Sequence, residues 1–126
     1  MHRLKDAKPV VIICTRDRKA ALPFYRDTLG LPLIFEDPFA AVFALDGATL
    51  RLSDVADWKP GPHTVFGFAV ADIRRTIAEL AGAGVRFIVY PGFGQDEEGV
   101  WTAPDGKTKV AWFNDPDGNN LSLTEA

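Results

Sequence analysis

The sequence contains few side chains that could act as a nucleophile, a general base or a metal ligand. Its histidines are His2 and His63, and its single cysteine is Cys14. Nucleophilic catalysis needs a base within hydrogen-bond reach of the nucleophile, and these residues assemble no convincing Ser–His–Asp set. Cys14 ends an apolar run, which is typical of an inert small hydrophobe; a neighbouring base or cation would instead make it a nucleophile. This shortage favours a binding protein over an enzyme.

Arg51 lies in a predicted strand, where a buried guanidinium is costly unless an anion pairs with it. That anion is either a carboxylate, phosphate or enolate of a ligand, or an internal acid such as Glu36 or Asp54. Flat apolar walls for a planar ligand are available from the tryptophans, each of which could equally be a core or dimer-interface residue. They are Trp58, Trp101 and Trp112.

Two features fall in a predicted loop after Tyr90. Phe93 stands between Gly92 and Gly94, which is typical of a mobile lid or rim. The acidic run at 96–98 predicts a solvated loop, or alternatively an acidic rim that attracts a cationic ligand.

The elements that must position these side chains occur twice. In the first half, strands are predicted at 9–15, 33–36, 39–45 and 49–53. Asp17 is the predicted N-cap of a helix that ends at Gly30 and is kinked or weakened by Pro23. In the second half, strands are predicted at 63–70, 85–90, 99–103, 107–114 and 121–124. Asp72 caps the second helix, which ends at Gly84.

The two N-cap aspartates are 55 residues apart, so the order of elements repeats. We expect one α+β domain over residues 1–126, with modules at 9–53 and 63–125 and a linker at 54–62. Two βαβββ modules, each with its helix on one face, would form a curved mixed sheet around a cavity with the helices outside.

Composition excludes several classes of function. The 126 residues carry a net charge of −3 with scattered basic residues, which argues against a nucleic-acid surface. No apolar run approaches the roughly 20 residues that span a bilayer, and the N-terminus does not resemble a signal peptide. A single cysteine predicts a reducing, cytoplasmic location.

Three motifs resemble the vicinal oxygen chelate superfamily, which includes glyoxalase I, extradiol dioxygenases and bleomycin-resistance proteins. Asp17 precedes FYRD at 24–27 and LGL at 29–31, similar to the opening signature of that family. FAVAD at 68–72 resembles the start of its second module, and FNDPDGN at 113–119 resembles its closing hairpin. The resemblance covers residues 9–125 and implies the doubled fold, a homodimer and a ligand cavity.

The family's metal enzymes hold a divalent ion with four side chains. Carried over by position, those ligands fall on Val10, Arg51, Val65 and Ser122. Two valines, an arginine and a serine lack the nitrogen and carboxylate donors that such an ion needs. The resemblance therefore implies a branch without the family's metal, and we predict no cofactor. A relocated site around His63 is the alternative to a plain rim position for that residue.

We therefore predict a metal-independent protein that binds a small, antibiotic-like or aromatic molecule. The predicted ligand-binding residues are those expected on the cavity side of the strands and at its rim: Val10, Arg51, His63, Val65, Phe93, Trp101, Trp112 and Ser122. The alternative is a lyase or dioxygenase-like enzyme with a relocated metal or none, in which Arg51 binds a substrate oxyanion. No nucleic-acid or membrane partner is expected.

Overall fold

The computed structural model describes residues 3–126, so His2 lies outside the described residues. The chain forms two compact units that meet in sequence between Lys59 and Pro60, inside the predicted linker. Each unit is a four-stranded mixed sheet with its own helix. This confirms the α+β class and the two similar modules. None of the helices within the described residues has the length and hydrophobicity of a transmembrane span.

The two units have the same strand order. The first unit consists of β1 (Val10–Thr15), α1 (Arg18–Pro23), β2 (Leu33–Glu36), β3 (Ala40–Leu45) and β4 (Ala48–Asp54). The second unit consists of β5 (Thr64–Ala69), α2 (Ile73–Gly82), β6 (Trp101–Thr102), β7 (Lys109–Asn114) and β8 (Asn120–Glu125). The first sheet has the order β1-β4-β3-β2 and the second the order β5-β8-β7-β6. In the first sheet β1 runs parallel to its neighbour β4, and in the second β5 runs parallel to β8.

Both helices begin at the predicted aspartates. The Asp17 side chain accepts a hydrogen bond from the Lys19 N–H, and Asp72 accepts one from the Arg75 N–H, each at 3.1 Å. These bonds satisfy backbone donors that have no partner within the helix.

Pro23 is the last residue of α1, and because proline has no N–H it leaves the Lys19 carbonyl without its α-helical donor. The chain goes on as a π-helical segment, Phe24–Thr28, in which the Leu29 N–H donates to the Phe24 carbonyl at 2.9 Å. Tyr25 of this segment is fully buried, and its ring lies 6.0 Å from that of Phe43. The irregularity predicted at Pro23 is therefore a change of helix type.

Each sheet has one face turned toward its helix and one turned away, which we call the far face. Ile13, Leu50 and Phe43 are fully or almost fully buried on the helix side of the first sheet, and Phe113 and Leu121 on that of the second. Because side chains alternate along a strand, the intervening residues lie on the far faces. In the second sheet these form register rows such as Gly67, Ser122 and Trp112.

The prediction of a strand at 85–90 is wrong. That segment is irregular, and its backbone joins β7 at an isolated bridge between Phe87 and Phe113 and at a hydrogen bond from the Ile88 N–H to the Trp112 carbonyl. The strand predicted at 99–103 shrinks to the two residues of β6. The reason is the intervening loop 91–100, which begins at Pro91 and turns through glycines at positive φ, leaving little length for a ladder.

Candidate functional site

Four aromatic rings pack together in the second unit, and we call them the aromatic cluster. The Phe93 ring centre lies 6.0 Å from Tyr90, 5.9 Å from Trp101 and 5.5 Å from Trp112, and Tyr90 lies 5.8 Å from Trp112. Most of these pairs meet edge to face, the arrangement that the aromatic quadrupole favours. Phe93 remains 46% exposed, so the cluster keeps an apolar surface in contact with solvent.

Strand register explains how separate segments supply these rings. Trp101 of β6 pairs with Val110 of β7, and Trp112 lies two residues further along β7 on the same face. Tyr90 ends the irregular segment that approaches the same edge, and Phe93 comes from the loop that follows. The aromatic cluster therefore brings together three of the predicted binding residues, namely Phe93, Trp101 and Trp112.

The row beside Trp112 consists of small residues. Trp112 pairs with Ser122, and Ser122 pairs with Gly67 across β8 and β5. A side chain at Gly67 would collide with the Ser122 Oγ. Since Gly67 is not among the glycines with positive φ, this position requires glycine for space rather than for backbone conformation. Because Ser122 and Gly67 have small side chains, the sheet surface is open next to the large indole of Trp112.

A neutral polar network borders the rings. The Asn120 amide nitrogen donates to the Tyr90 hydroxyl at 3.0 Å and to the Asn114 side-chain oxygen at 3.3 Å. The Thr64 hydroxyl donates to the Asn120 oxygen at 2.7 Å. Asn120 is buried, so the network fixes the Tyr90 ring, and a phenol that accepts one bond can still donate its own proton.

Phe93 was expected on a mobile lid or a rim, and its loop is tied to the rest of the unit. Arg74 of α2 contacts Asp96 at 2.7 Å and Glu98 at 2.6 Å. Burial disfavours the Asp96 carboxylate, yet the Val100 N–H and the Arg74 guanidinium outweigh it and lower the pKa of Asp96. The acidic run is thus largely paired, and it lines an open hollow of about 580 Å³.

Arg51 lies on the far face of the first sheet and pairs with an internal acid. Its Nη2 lies 3.0 Å from Asp37 Oδ2. The other Asp37 oxygen accepts the N–H groups of Phe39 and Ala40, each at 2.8 Å. The Phe39 N–H, followed by the Arg51 guanidinium and the Ala40 N–H, lowers the pKa of Asp37.

The acids predicted as partners of Arg51 bind a different arginine. Asp54 lies 2.6 Å and Glu36 3.3 Å from nitrogens of Arg18. The prediction missed Asp37 because it sits in the turn before β3, where the sequence gives no sign that its carboxylate returns to the sheet.

The side chains at the family's metal positions do not fit a divalent ion. Val10 lies on the far face of the first sheet with Arg51, and Ser122 lies on that of the second. Val65 falls at a register irregularity in β5 and is partly exposed. Aliphatic, guanidinium and hydroxyl groups are poor ligands for such ions. Within residues 3–126, no group of three or more His, Cys, Asp or Glu side chains could hold a metal.

His63 and Cys14 are the remaining candidates. His63 is exposed just before β5, where its ring would meet a side chain placed at Gly61. Cys14 lies on the far face of the first sheet, and burial raises the pKa of its thiol, which reduces the thiolate fraction. Sequence reasoning did not select Tyr90 or Asn120; the only sign was an aromatic residue at the end of a predicted strand.

Comparisons with known proteins agree with this fold. The profile of one family, described as the Glyoxalase/Bleomycin resistance protein/Dioxygenase superfamily, matches residues 8–123. A member of that superfamily from Sphaerobacter thermophilus is 28% identical with a TM-score of 0.71, covering 93% of this chain and 94% of that chain. No curated protein sequence matches this chain.

Two further crystal structures are less similar in sequence and support the fold alone. Lactoylglutathione lyase from Agrobacterium tumefaciens is 18% identical with a TM-score of 0.73, covering 96% of this chain and 94% of that chain. A glyoxalase/bleomycin resistance protein/dioxygenase from Alicyclobacillus acidocaldarius is 19% identical with a TM-score of 0.72, covering 95% of this chain and 91% of that chain.

Proposed function

The chain belongs to the Glyoxalase/Bleomycin resistance protein/Dioxygenase superfamily, and from this premise we propose that it binds a small planar aromatic molecule without a metal ion. One fold serves many functions, so the proposal rests on the site. The observation that carries it is the aromatic cluster, whose Phe93 ring is 46% exposed beside Trp101 and Trp112.

The shape of the far face supports a flat ligand. Trp112 stands beside the low row of Ser122 and Gly67, so a planar ring could lie over the row and contact the indole. Such a ligand would remove apolar surface of Phe93 and Trp112 from water, which favours binding at about 25 cal/mol per Å². The Tyr90 hydroxyl borders the rings and would donate to an acceptor on the ligand.

The side-chain chemistry supports metal independence. A divalent ion bound in the family's manner would need donors at Val10, Arg51, Val65 and Ser122, and these residues do not supply them. Arg51 is also a weak candidate for binding a substrate oxyanion, since Asp37 already pairs with its charge at 3.0 Å. We therefore favour ligand binding over the enzymatic alternative.

The test uses a neutral fluorescent probe, N-phenyl-1-naphthylamine, together with a thermal-shift screen of aromatic antibiotics, aromatic acids and aldehyde–thiol adducts. A ligand specific to the native state raises Tm. Trp112→Leu should weaken probe binding at least tenfold. Phe68→Leu, a change on the helix side of the same sheet, should leave the affinity unchanged and so controls for general loss of stability.

Two results would contradict the proposal. The first is unchanged probe affinity in Trp112→Leu, which would place any binding elsewhere. The second is a stoichiometric divalent metal in the purified protein whose removal by a chelator abolishes binding. The expected result is the same affinity before and after chelation.

A further inference from the structure

We propose that Arg74 and Gln95 are positioning residues of the aromatic site, which hold loop 91–100 so that Phe93 lies against Trp101 and Trp112 before a ligand arrives. This inference rests on the proposed function for its effect on binding. Its structural part concerns the ligand-free protein and can be tested alone.

The Gln95 side chain ties the two ends of the loop together. Its Oε1 accepts the Tyr90 N–H at 2.7 Å, and its Nε2 donates to the carbonyls of Ile88 at 2.8 Å and Gly99 at 2.7 Å. One side chain thus closes the loop with three bonds to backbone groups of both ends. Hydrogen bonds between paired strands would normally do this, but the segment before Tyr90 pairs with β7 only at the isolated bridge described above.

Arg74 fastens the same loop to the helix. Its Nη1 lies 2.7 Å from an Asp96 oxygen and 2.6 Å from a Glu98 oxygen. The other Asp96 oxygen accepts the N–H groups of Glu98 and Val100, each at 3.0 Å. The charge on α2 therefore pairs with a turn that is already internally bonded, which joins this turn to the helix.

The loop needs such anchors because its sequence favours freedom. Gly92, Gly94 and Gly99 all have positive φ, and glycine loses more backbone entropy on ordering than any other residue. Fixing a residue costs about 1–2 kcal/mol, and Phe93 is only half-buried. If the anchors were absent, a ligand would have to order the loop on binding, and its affinity would fall accordingly.

Arg75 provides a matched control on the same helix. It is the adjacent arginine and pairs with Glu79 one turn along α2, at 3.2 Å, with both side chains largely exposed. Loss of this pair removes an arginine and an ion pair from α2 without touching the loop. A role specific to the loop predicts different ring contacts in the two variants.

The experiment compares Arg74→Ala, Arg74→Lys, Gln95→Glu and Arg75→Ala. In the ligand-free proteins, nuclear Overhauser contacts between the Phe93 and Trp112 rings report the loop position. We expect them to weaken or vanish in Arg74→Ala and Gln95→Glu, to be partly restored in Arg74→Lys, and to persist in Arg75→Ala. Affinity for N-phenyl-1-naphthylamine should fall three- to tenfold in the first two and stay unchanged in the last.

The outcomes separate the two proposals. If wild type does not bind the probe, the proposed function fails, while the ring contacts still decide whether Arg74 and Gln95 place Phe93. If wild type binds but Arg74→Ala matches Arg75→Ala in ring contacts and affinity, the positioning role is overturned. Screening by 1 M NaCl should affect the Arg74 anchor and spare the Gln95 anchor; equal sensitivity of both would contradict the two-anchor account.

Discussion

The contact between Phe93 and Trp112 can be measured by a double-mutant cycle. The two ring centres lie 5.5 Å apart and meet edge to face. We expect Phe93→Leu and Trp112→Leu together to destabilise the protein by less than the sum of the single changes. The reason is that either change alone already removes the aromatic pair.

The expected magnitude follows from exposure and geometry. An edge-to-face pair contributes about 0.5–1.5 kcal/mol beyond the burial of area. Because Phe93 is 46% exposed, we place the coupling in the lower part of that range, about 0.5–1 kcal/mol. Phe93→Leu alone should cost about 1–2 kcal/mol, since its ring also lies beside those of Tyr90 and Trp101.

Urea denaturation followed by far-UV circular dichroism provides the free energies of unfolding. The comparison requires that m, the slope of this free energy against urea concentration, stays constant across variants. The control cycle pairs Phe93→Leu with Phe68→Leu. Phe68 lies in β5, on the helix side, and β8 separates it from β7. Its effects should add to those of Phe93→Leu within about 0.3–0.5 kcal/mol. Additivity in the Phe93–Trp112 cycle as well would refute the cluster geometry.

Further expectations concern acidity, the core and assembly. The pKa of Asp37 is lowered in the folded state, so its stabilisation is present above the unfolded pKa of about 3.9 and is lost as pH falls through the folded value. Urea midpoints of wild type and Asp37→Asn should therefore differ most above pH 5 and converge toward pH 2; a gap that widens with acid would contradict this. Leu50→Ala, at a fully buried site, should cost about 2–5 kcal/mol in urea denaturation, and a loss under 1 kcal/mol would contradict that burial. Light scattering after size exclusion should give a homodimer, as the family resemblance implies; a clean monomer would refute it.

Much of the fold could be predicted because its signals are local. The N-cap positions of Asp17 and Asp72 follow from the need of a helix end for a side-chain acceptor, and both were confirmed. Most strands followed from apolar, β-branched runs. The 85–90 segment failed because the same kind of run does not ensure a partner strand: it pairs with β7 at an isolated bridge between Phe87 and Phe113 and forms no ladder.

The candidate site was only partly predictable. Phe93, Trp101 and Trp112 were proposed separately as aromatic wall residues, and only register and ring distances show that they meet. Tyr90 joins them through its position at the end of an irregular segment. Arg51 pairs with an internal acid, one of the two alternatives that the sequence left open, but that acid is Asp37 and not Glu36 or Asp54, the examples named. Ion pairing depends on which acid the turn before β3 brings within reach.

By itself, the sequence determined the doubled βαβββ pattern, the family and the poor fit of the inherited metal positions, since these depend on residue types and their order along the chain. The tertiary structure alone decided that an aromatic cluster forms on the far face of the second sheet and that Arg74 and Gln95 anchor its loop. These features depend on groups far apart in sequence, such as Arg74 and Glu98. Their proximity is set by strand register and helix packing, which no local pattern records.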